Sequence, residues 1–171
     1  LLTLQHRGQD AAGMVVCEPS GKLNSRKSKG YVRDVFQQNH MNNLQGNLGI
    51  GHVRYPTAGG IGKEFAQPMY VNTPYGISLA HNGNLTNSKK LAAELFHAER
   101  RHINTDSDSE VLLNIFALEL SKQEAVFPKP KDFFTAVEKT HLRINGAYAV
   151  VALVTGYGLS LIHISEPTRR S

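Results

Sequence analysis

Residues 76–84 read Gly-Ile-Ser-Leu-Ala-His-Asn-Gly-Asn, so that polar residues directly follow an apolar segment. Gly76 to His81 has the length and apolar content of a β-strand, and Asn82-Gly83-Asn84 predicts a tight turn at its end. A second apolar run, Ala147 to Val154, is typical of a strand that is buried on both faces. The two runs predict two buried strands, and the first of them ends in groups that can do chemistry.

Strands are also predicted before this stretch, and helices after it. The strand candidates are Ala12–Cys17, the residues around Leu23, and Asn47–Val53. Apolar residues then recur at helical spacing in three segments: about Asn87–His97, from near Ser107, and around Asp132–Thr140. The order of strands, helices and a final strand indicates an α+β layered sandwich and not a regular βαβ alternation.

Local signals place the ends of these elements. Ser107 and Glu110 have the spacing of a capping box, and Leu1 to His6 predicts the end of a helix. Pro128 and Pro130 predict the connection before the last helix. The first helix is expected to present one apolar face, formed by Leu91, Leu95 and Phe96.

Length and composition bound the class of protein. The chain has 171 residues, 40% of them hydrophobic and 19% charged, which fits one globular domain. No apolar run approaches the roughly 18 residues of a membrane-spanning helix, and the start of the chain lacks the pattern of a signal peptide. The single cysteine, Cys17, excludes an internal disulfide framework and indicates a cytoplasmic setting. The net charge of +5 is weak evidence for nucleic acid, because the basic residues are scattered.

Four segments combine glycine with polar residues in a way that core packing does not require. They are His6–Asp10, Gly51–Thr57, Ala80–Asn84 and Thr105–Glu110. Each segment alone has an ordinary structural explanation as a turn, a helix cap or a surface ion pair.

Together the segments predict a site for an amino acid. Arg54, with Thr57 nearby, can clamp an α-carboxylate through a bidentate fork. Asp108 at a helix start can hold an α-ammonium. The Asn82 amide and the Gly83 N–H can form an oxyanion hole. Such a site suits an amino acid with a side-chain carbonyl, and glutamine fits this description.

The four segments, in this order, resemble the glutamine amidotransferase domain of the N-terminal-nucleophile type, also called class II. The sequences of these motifs are closest to those of the amidophosphoribosyltransferase family, and the similarity runs from Leu1 to about Gly158. It implies an N-terminal-nucleophile hydrolase fold, a four-layer αββα sandwich that is truncated at both ends. The strings that carry it are LQHRGQDAAG, GHVRYPTAG, AHNGNLTN and RRHINTDSDSEVLLN.

The resemblance also implies roles for particular residues. Arg54 and Thr57 bind the glutamine α-carboxylate, Asp108 binds the α-ammonium, and Asn82 and Gly83 stabilise the oxyanion. Tyr55 begins a loop that closes over glutamine, and Arg7 supports the region around the nucleophile. The glycines expected to make that loop mobile are Gly59, Gly60 and Gly62.

Parts of the family pattern are missing from this chain. The family's nucleophile is a cysteine at the mature N-terminus, whereas residue 1 is Leu and Cys17 is expected to be a buried, inert thiol. We therefore predict that the chain as written does not hydrolyse glutamine. The family's phosphoribosyltransferase domain, which binds phosphoribosyl pyrophosphate with Mg²⁺, is also expected to lie outside the chain. This segment itself is expected to hold no metal or cofactor, and the full-length protein to form a homo-oligomer.

The last residues need a separate explanation. Leu159 to Ser171 resembles the translation of a sequencing-library adapter, so we assign residues 1–158 to a partial amidotransferase domain and residues 159–171 to a non-biological tail. The resemblance to the amidotransferase family further implies that a central N-terminal strand is absent. We therefore expect poor stability, since unpaired strand edges invite aggregation.

Three alternatives stay open at this point. The first is the amidotransferase domain of glucosamine-6-phosphate synthases, which differ by a Tyr in place of Gln9 and by Trp-Ala in place of Tyr55-Pro56. The second is a basic nucleic-acid-binding module, which would need clustered Lys and Arg or aromatic stacking platforms. The third is a glutamine-binding domain without catalytic activity.

Overall fold

The computed structural model describes residues 1–55, 62–123 and 127–164, with the backbone alone for residues 159–164. Two antiparallel sheets form from these residues. The first sheet has the order β2-β1-β3, with β1 Ala11–Cys17, β2 Leu23–Lys29 and β3 Leu48–Arg54. The second has the order β4-β5-β6-β7, with β4 Met69–Val71, β5 Ile77–Leu85, β6 Gly146–Val154 and β7 Gly158–Ile164.

The helices are divided unequally between the two sheets. Two short helices follow β2: α1 Val32–Val35 and α2 Gln38–Asn42. Three longer helices belong to the second sheet: α3 Ser88–His97, α4 Asp108–Ser121 and α5 Pro130–Arg143. Short 3₁₀ helices cover Leu2–Arg7 and Lys63–Phe65. No helix in the described ranges has the length and apolar character needed to cross a bilayer.

The layers follow from which residues are buried together. Val15, Ile50 and Leu153 form a cluster between the two sheets. On the outer face of the first sheet, Ala12 packs with Val32 of α1. On the outer face of the second sheet, α3, α4 and α5 form a large core with β5 and β6. The layer order is therefore helix, sheet, sheet, helix, which confirms the predicted αββα sandwich.

Helix α4 is the central element of the larger core. Its residues from Val111 to Leu120 are all buried, because the helix lies against the second sheet and contacts both α3 and α5. Arg143 of α5 donates to Glu94 at 2.6 Å and to Glu119 at 2.5 Å, which ties the three helices together. Packing along the whole of helix α4 thus fixes the position of its first residues.

The predicted turn at residues 82–84 is wrong. Strand β5 continues to Leu85 and stays paired with β6, from Ile77 opposite Val154 to Leu85 opposite Gly146. The strand continues because β6 supplies a backbone partner for every one of these residues. Gly83 permits the close approach, with φ +152°, and a Cβ there would lie 2.2 Å from the Ala147 carbonyl oxygen.

The structure also differs from the predicted helices in some details. Phe96 is 56% exposed, so the apolar face of α3 consists of Leu91 and Leu95. Pro130 is the first residue of α5 and not part of the connection, because proline's fixed φ suits that position and no N–H is needed there. Ser107 caps α4 as predicted, but Glu110 accepts from the N–H groups of residues 104 and 105 and does not close a capping box.

Strand β7 crosses the boundary predicted at residue 158. Its residues Gly158–Ile164 pair with β6 from Val154 to Tyr148. Backbone pairing of this kind does not depend on side chains, so it says nothing about where the segment came from. The assignment of residues 159–171 to an adapter stays a prediction.

Candidate functional site

A cavity of about 400 Å³ receives residues from all four of the predicted segments. It lies where β3, β5 and the start of α4 meet. Thr57, Gly59 and Gly60 fall outside the described residues, and Gly62 is not among the residues that line the cavity. The predicted site residues that do line it are Arg7, Arg54, Tyr55, Asn82, Gly83 and Asp108.

Arg54 is the last residue of β3 and is held from two sides. Its Nη1 donates to Asp10 Oδ2 at 2.5 Å, and both side chains are 8% exposed. Its guanidinium carbon lies 5.4 Å from the centre of the Phe65 ring. Asp10 is next to β1, and its N–H donates to the Arg54 carbonyl at 3.0 Å. The guanidinium therefore enters the cavity in a fixed orientation.

β6 pairs with Asn82 and Gly83 along one edge of β5, and β4 lies along the opposite edge. β4 pairs only with residues 77–79 of β5, so this edge has no strand partner beyond Leu79 among the described residues. The His81 N–H donates to Gln67 Oε1 at 2.6 Å, and the Leu85 N–H donates to Asp108 Oδ2 at 3.0 Å. Because N–H direction repeats every second residue in a strand, the Gly83 N–H points to the same edge, toward the cavity.

Asp108 is the first residue of α4, where the helix dipole favours a carboxylate. Its Oδ2 accepts from the Leu85 N–H at 3.0 Å, and its Oδ1 lies 3.4 Å from Ser109 Oγ. The side chain is 22% exposed. A carboxylate accepts about four hydrogen bonds, so Asp108 keeps capacity for a further donor from the cavity.

Several polar residues that line the cavity were not among the predicted site residues. His52, Gln67, His81 and Ser109 line it alongside the predicted set. His52, His81 and Ser109 stand in the quoted segments, directly beside or near predicted residues. Gln67 lies outside them and reaches Ser109, 42 positions away, so no local pattern could have indicated it.

His81 is buried and His52 is partly buried, and loss of water disfavours the charged form of both. Burial, together with the neighbouring His81 and Arg54, lowers the pKa of His52 to about 4. Burial also lowers the pKa of His81, although the Asp108 carboxylate, 3.7 Å from its Nδ1, acts in the opposite direction. The formally charged side chains that line the cavity are therefore Arg7, Arg54, Asp106 and Asp108, and Asp10 pairs with Arg54.

The charges are arranged to suit a zwitterion. Arg54 can receive a carboxylate and Asp108 an ammonium group, while Asn82 and Gly83 supply amide and backbone donors between the two sheets. Donors of this kind stabilise a developing oxyanion. Across the described residues, no three His, Cys, Asp or Glu side chains are close enough to hold a metal ion.

The chain's single cysteine lies elsewhere. Cys17 is 7% exposed and belongs to the cluster between the two sheets. It does not line the cavity. The prediction that Cys17 is a buried thiol is confirmed.

Known proteins are similar to this chain in sequence over most of its length. Amidophosphoribosyltransferase of Pseudomonas aeruginosa is 59% identical over 159 residues, which are 93% of this chain and 32% of that protein. The Escherichia coli enzyme of the same name is 55% identical over the same shares. The Saccharomyces cerevisiae enzyme is 51% identical over 91% of this chain and 31% of its own length. The chain thus spans about a third of the length of these relatives.

Solved structures match as well. Glutamine phosphoribosylpyrophosphate amidotransferase from B. subtilis, complexed with ADP and GMP, is 32% identical with a TM-score of 0.70, over 89% of this chain and 30% of that one. A structure described as the allosteric regulatory enzyme of purine biosynthesis is 35% identical with a TM-score of 0.71, over 88% of this chain and 30% of that one. Both are similar in fold and in sequence.

The family comparison agrees with the site. The family described as "Glutamine amidotransferase domain" matches residues 32–126. This range contains β3, β5 and the start of α4, which carry Arg54, Asn82, Gly83 and Asp108. The chain belongs to the glutamine amidotransferase domain family.

Proposed function

We propose that the chain is the glutamine-binding part of the glutamine-hydrolysing domain of an amidophosphoribosyltransferase. One observation carries this proposal: a single cavity brings together the Arg54 cation, the Asp108 carboxylate and the donors of Asn82 and Gly83. The identities of 51% to 59% to amidophosphoribosyltransferases favour this enzyme over glucosamine-6-phosphate synthase.

Glutamine binds through its two charged groups. Its α-carboxylate pairs with the Arg54 guanidinium at the wall of the cavity, helped by Thr57. Its α-ammonium donates to Asp108. Because these residues lie on different elements, β3 and α4, the amino acid is held at two points, and its side chain extends toward β5. Tyr55, which is 67% exposed at the mouth, begins the segment that covers it, and Arg7 completes the wall.

The side-chain amide of glutamine then meets the oxyanion donors. When a nucleophile attacks the amide carbon, negative charge develops on the amide oxygen. The Asn82 side chain and the Gly83 N–H stabilise that charge, and losing one such donor typically costs about 3–4 kcal/mol of transition-state stabilisation. The part assigned to this chain is to bind glutamine, orient its amide and stabilise the oxyanion.

The whole enzyme extends beyond this part, and its other features are proposed from the relatives. Ammonia released from glutamine is transferred to phosphoribosyl pyrophosphate and forms 5-phosphoribosylamine for purine synthesis. A phosphoribosyltransferase domain, with Mg²⁺, carries out that transfer. We place the enzyme in the cytoplasm as a homo-oligomer.

Calorimetric titration of the 171-residue chain with L-glutamine tests the binding role. We expect the unaltered chain to bind, and Asp108→Asn to weaken binding at least about tenfold, because a charged hydrogen bond to the ammonium is lost. Asp132→Asn is the matched control, since Asp132 lies in the first turn of α5 and not in the cavity. Absence of binding, or equal binding by both variants, contradicts the proposal.

Glutaminase assays test the reactive thiol separately. The cavity contains no cysteine, so we expect no turnover of glutamine by the purified chain. Turnover that disappears in Cys17→Ala would overturn both this expectation and the assignment of Cys17 as an inert thiol.

A further inference from the structure

A chain of buried polar groups joins the strand that carries Asn82 to the helix that carries Asp108. Gln67 accepts from the His81 N–H at 2.6 Å and donates through Nε2 to Ser109 Oγ at 3.0 Å. His81 Nδ1 lies 3.0 Å from the same Oγ. Gln67, His81 and Ser109 are 6%, 3% and 2% exposed. Water therefore has little access to these bonds, and each side chain has few alternative partners.

Gln67 is also fixed at its backbone. A Cβ added at Gly13 of β1 would lie 2.0 Å from the Gln67 carbonyl oxygen, so Gln67 lies directly against the first sheet. Its side chain reaches β5 and the first turn of α4. One residue therefore contacts the first sheet, β5 and the first turn of α4.

One arrangement of the hydrogen bonds around Ser109 gives Gln67 Nε2, His81 Nδ1 and Asp108 Oδ1 a partner each, while the buried His81 Nε2 has none among the described residues. Ser109 Oγ accepts from Gln67 Nε2 and from a protonated His81 Nδ1, and it donates to Asp108 Oδ1 at 3.4 Å. The opposite tautomer would turn the unprotonated Nδ1 toward Asp108 Oδ1, 3.7 Å away, where two lone pairs would face each other. The Ser109 hydroxyl thus connects the residue before Asn82 with the carboxylate of Asp108.

We infer that Gln67 and Ser109 are positioning residues that fix the ammonium-binding carboxylate relative to the oxyanion donors. This inference rests on the proposed glutamine site. Neither residue needs to touch glutamine, because each acts through another residue: Ser109 through Asp108, and Gln67 through His81, which precedes Asn82. Two parts of one substrate are recognised on separate elements, so the distance between those elements decides how well both can bind together.

The test compares two ligands on the 171-residue chain. L-Glutamine uses both parts of the site, whereas 4-carbamoylbutanoate is glutamine without its α-ammonium. We expect Ser109→Ala to weaken L-glutamine binding about tenfold, the size of one lost charge-assisted hydrogen bond. Binding of 4-carbamoylbutanoate should stay within about twofold of the unaltered chain, since it does not use Asp108. Ser109→Thr keeps the hydroxyl and should restore the ratio.

Ser121→Ala is the matched control, because Ser121 ends the same helix, donates to the Leu118 carbonyl at 2.7 Å and does not line the cavity. Equal losses for the two ligands, or no loss, overturn the positioning role while leaving the glutamine site intact. Failure of the unaltered chain to bind L-glutamine overturns the proposed function and this inference with it. A second measurement needs no variant: ¹⁵N NMR of the unaltered chain reports which ring nitrogen of His81 carries the proton. A proton on Nε2 and not on Nδ1 would contradict the arrangement.

Discussion

The two sheets of this domain are supported very differently. The second sheet is covered by α3, α4 and α5 and shares one continuous apolar core with them. The first sheet is covered by α1, a helix of four residues, and its outer cluster has three buried residues: Ala12, Val32 and Val35. The same fold thus contains one thickly covered half and one thinly covered half.

The candidate site takes residues from both halves. Asn82, Gly83 and Asp108 come from the thickly covered half, where apolar packing holds β5 against α4. Arg54 comes from the thinly covered half, where an ion pair with Asp10 fixes it. The two ends of the candidate site therefore depend on different forces, burial of apolar surface at one end and a buried charge pair at the other.

The largest effect should follow from breaking that charge pair. Asp10→Asn leaves the Arg54 guanidinium buried without its carboxylate, which typically costs about 3–5 kcal/mol. Urea unfolding should show this loss, and L-glutamine binding should weaken with it. Asp34→Asn, an exposed change on α1, is the control and should have little effect. A stability change as small as that of the control would mean that the pair does not hold this half.

A smaller effect should separate the two apolar clusters. Leu113→Ala in the larger core is expected to lower the free energy of unfolding by about 3 kcal/mol. Leu113 is 0% exposed, and its neighbours fill the space left by the lost side chain only in part. Val35→Ala under the first sheet should cost about 1–2 kcal/mol, since fewer methyl groups are lost. Urea unfolding of both variants measures the difference. Equal losses would show that the clusters support the fold equally.

An effect of similar size is the pH dependence at the boundary between the halves. His52 on β3 faces His81 and Arg54, and its pKa in the folded state is lowered from 6.5 to about 4. The unfolded chain therefore binds a proton in this window that the folded chain excludes. Stability should be fully present above pH 6.5 and fall toward pH 4, by on the order of 2 kcal/mol at pH 5.

His52→Gln isolates this contribution, because carboxylates titrate in both chains. The difference in unfolding free energy between the unaltered chain and His52→Gln should change between pH 7 and pH 5. A difference that is the same at both pH values would mean that His52 is not buried as a neutral group.

Much of the fold was predictable because the signals are local. The apolar run at Ala147 to Val154 became β6, and Ser107 caps α4 where it was expected. The prediction of a turn at Asn82-Gly83 was wrong because the pairing with β6 joins distant segments and outweighs the turn preference of that dipeptide. Phe96 has helical spacing but is exposed, since spacing alone does not say how far the neighbouring elements extend.

The candidate site was predictable where its residues stand in short polar segments with glycine. Arg54, Asn82, Gly83 and Asp108 all line the cavity. The residues that hold them were not predicted. Asp10 pairs with Arg54 from 44 positions away, and Gln67 bonds to Ser109 from 42 positions away. No periodicity in the sequence connects such pairs, because they meet only after the sheets have packed.

The contact between Gly13 and the Gln67 carbonyl also bears on mutational tolerance. Any residue other than glycine at position 13 brings a Cβ to 2.0 Å from that oxygen, so either β1 or Gln67 must shift. Gly13 does not line the cavity, yet the shift would reach His81 and Ser109 through Gln67. In a library of variants selected for glutamine binding, position 13 should therefore be as restricted as the residues that touch the ligand.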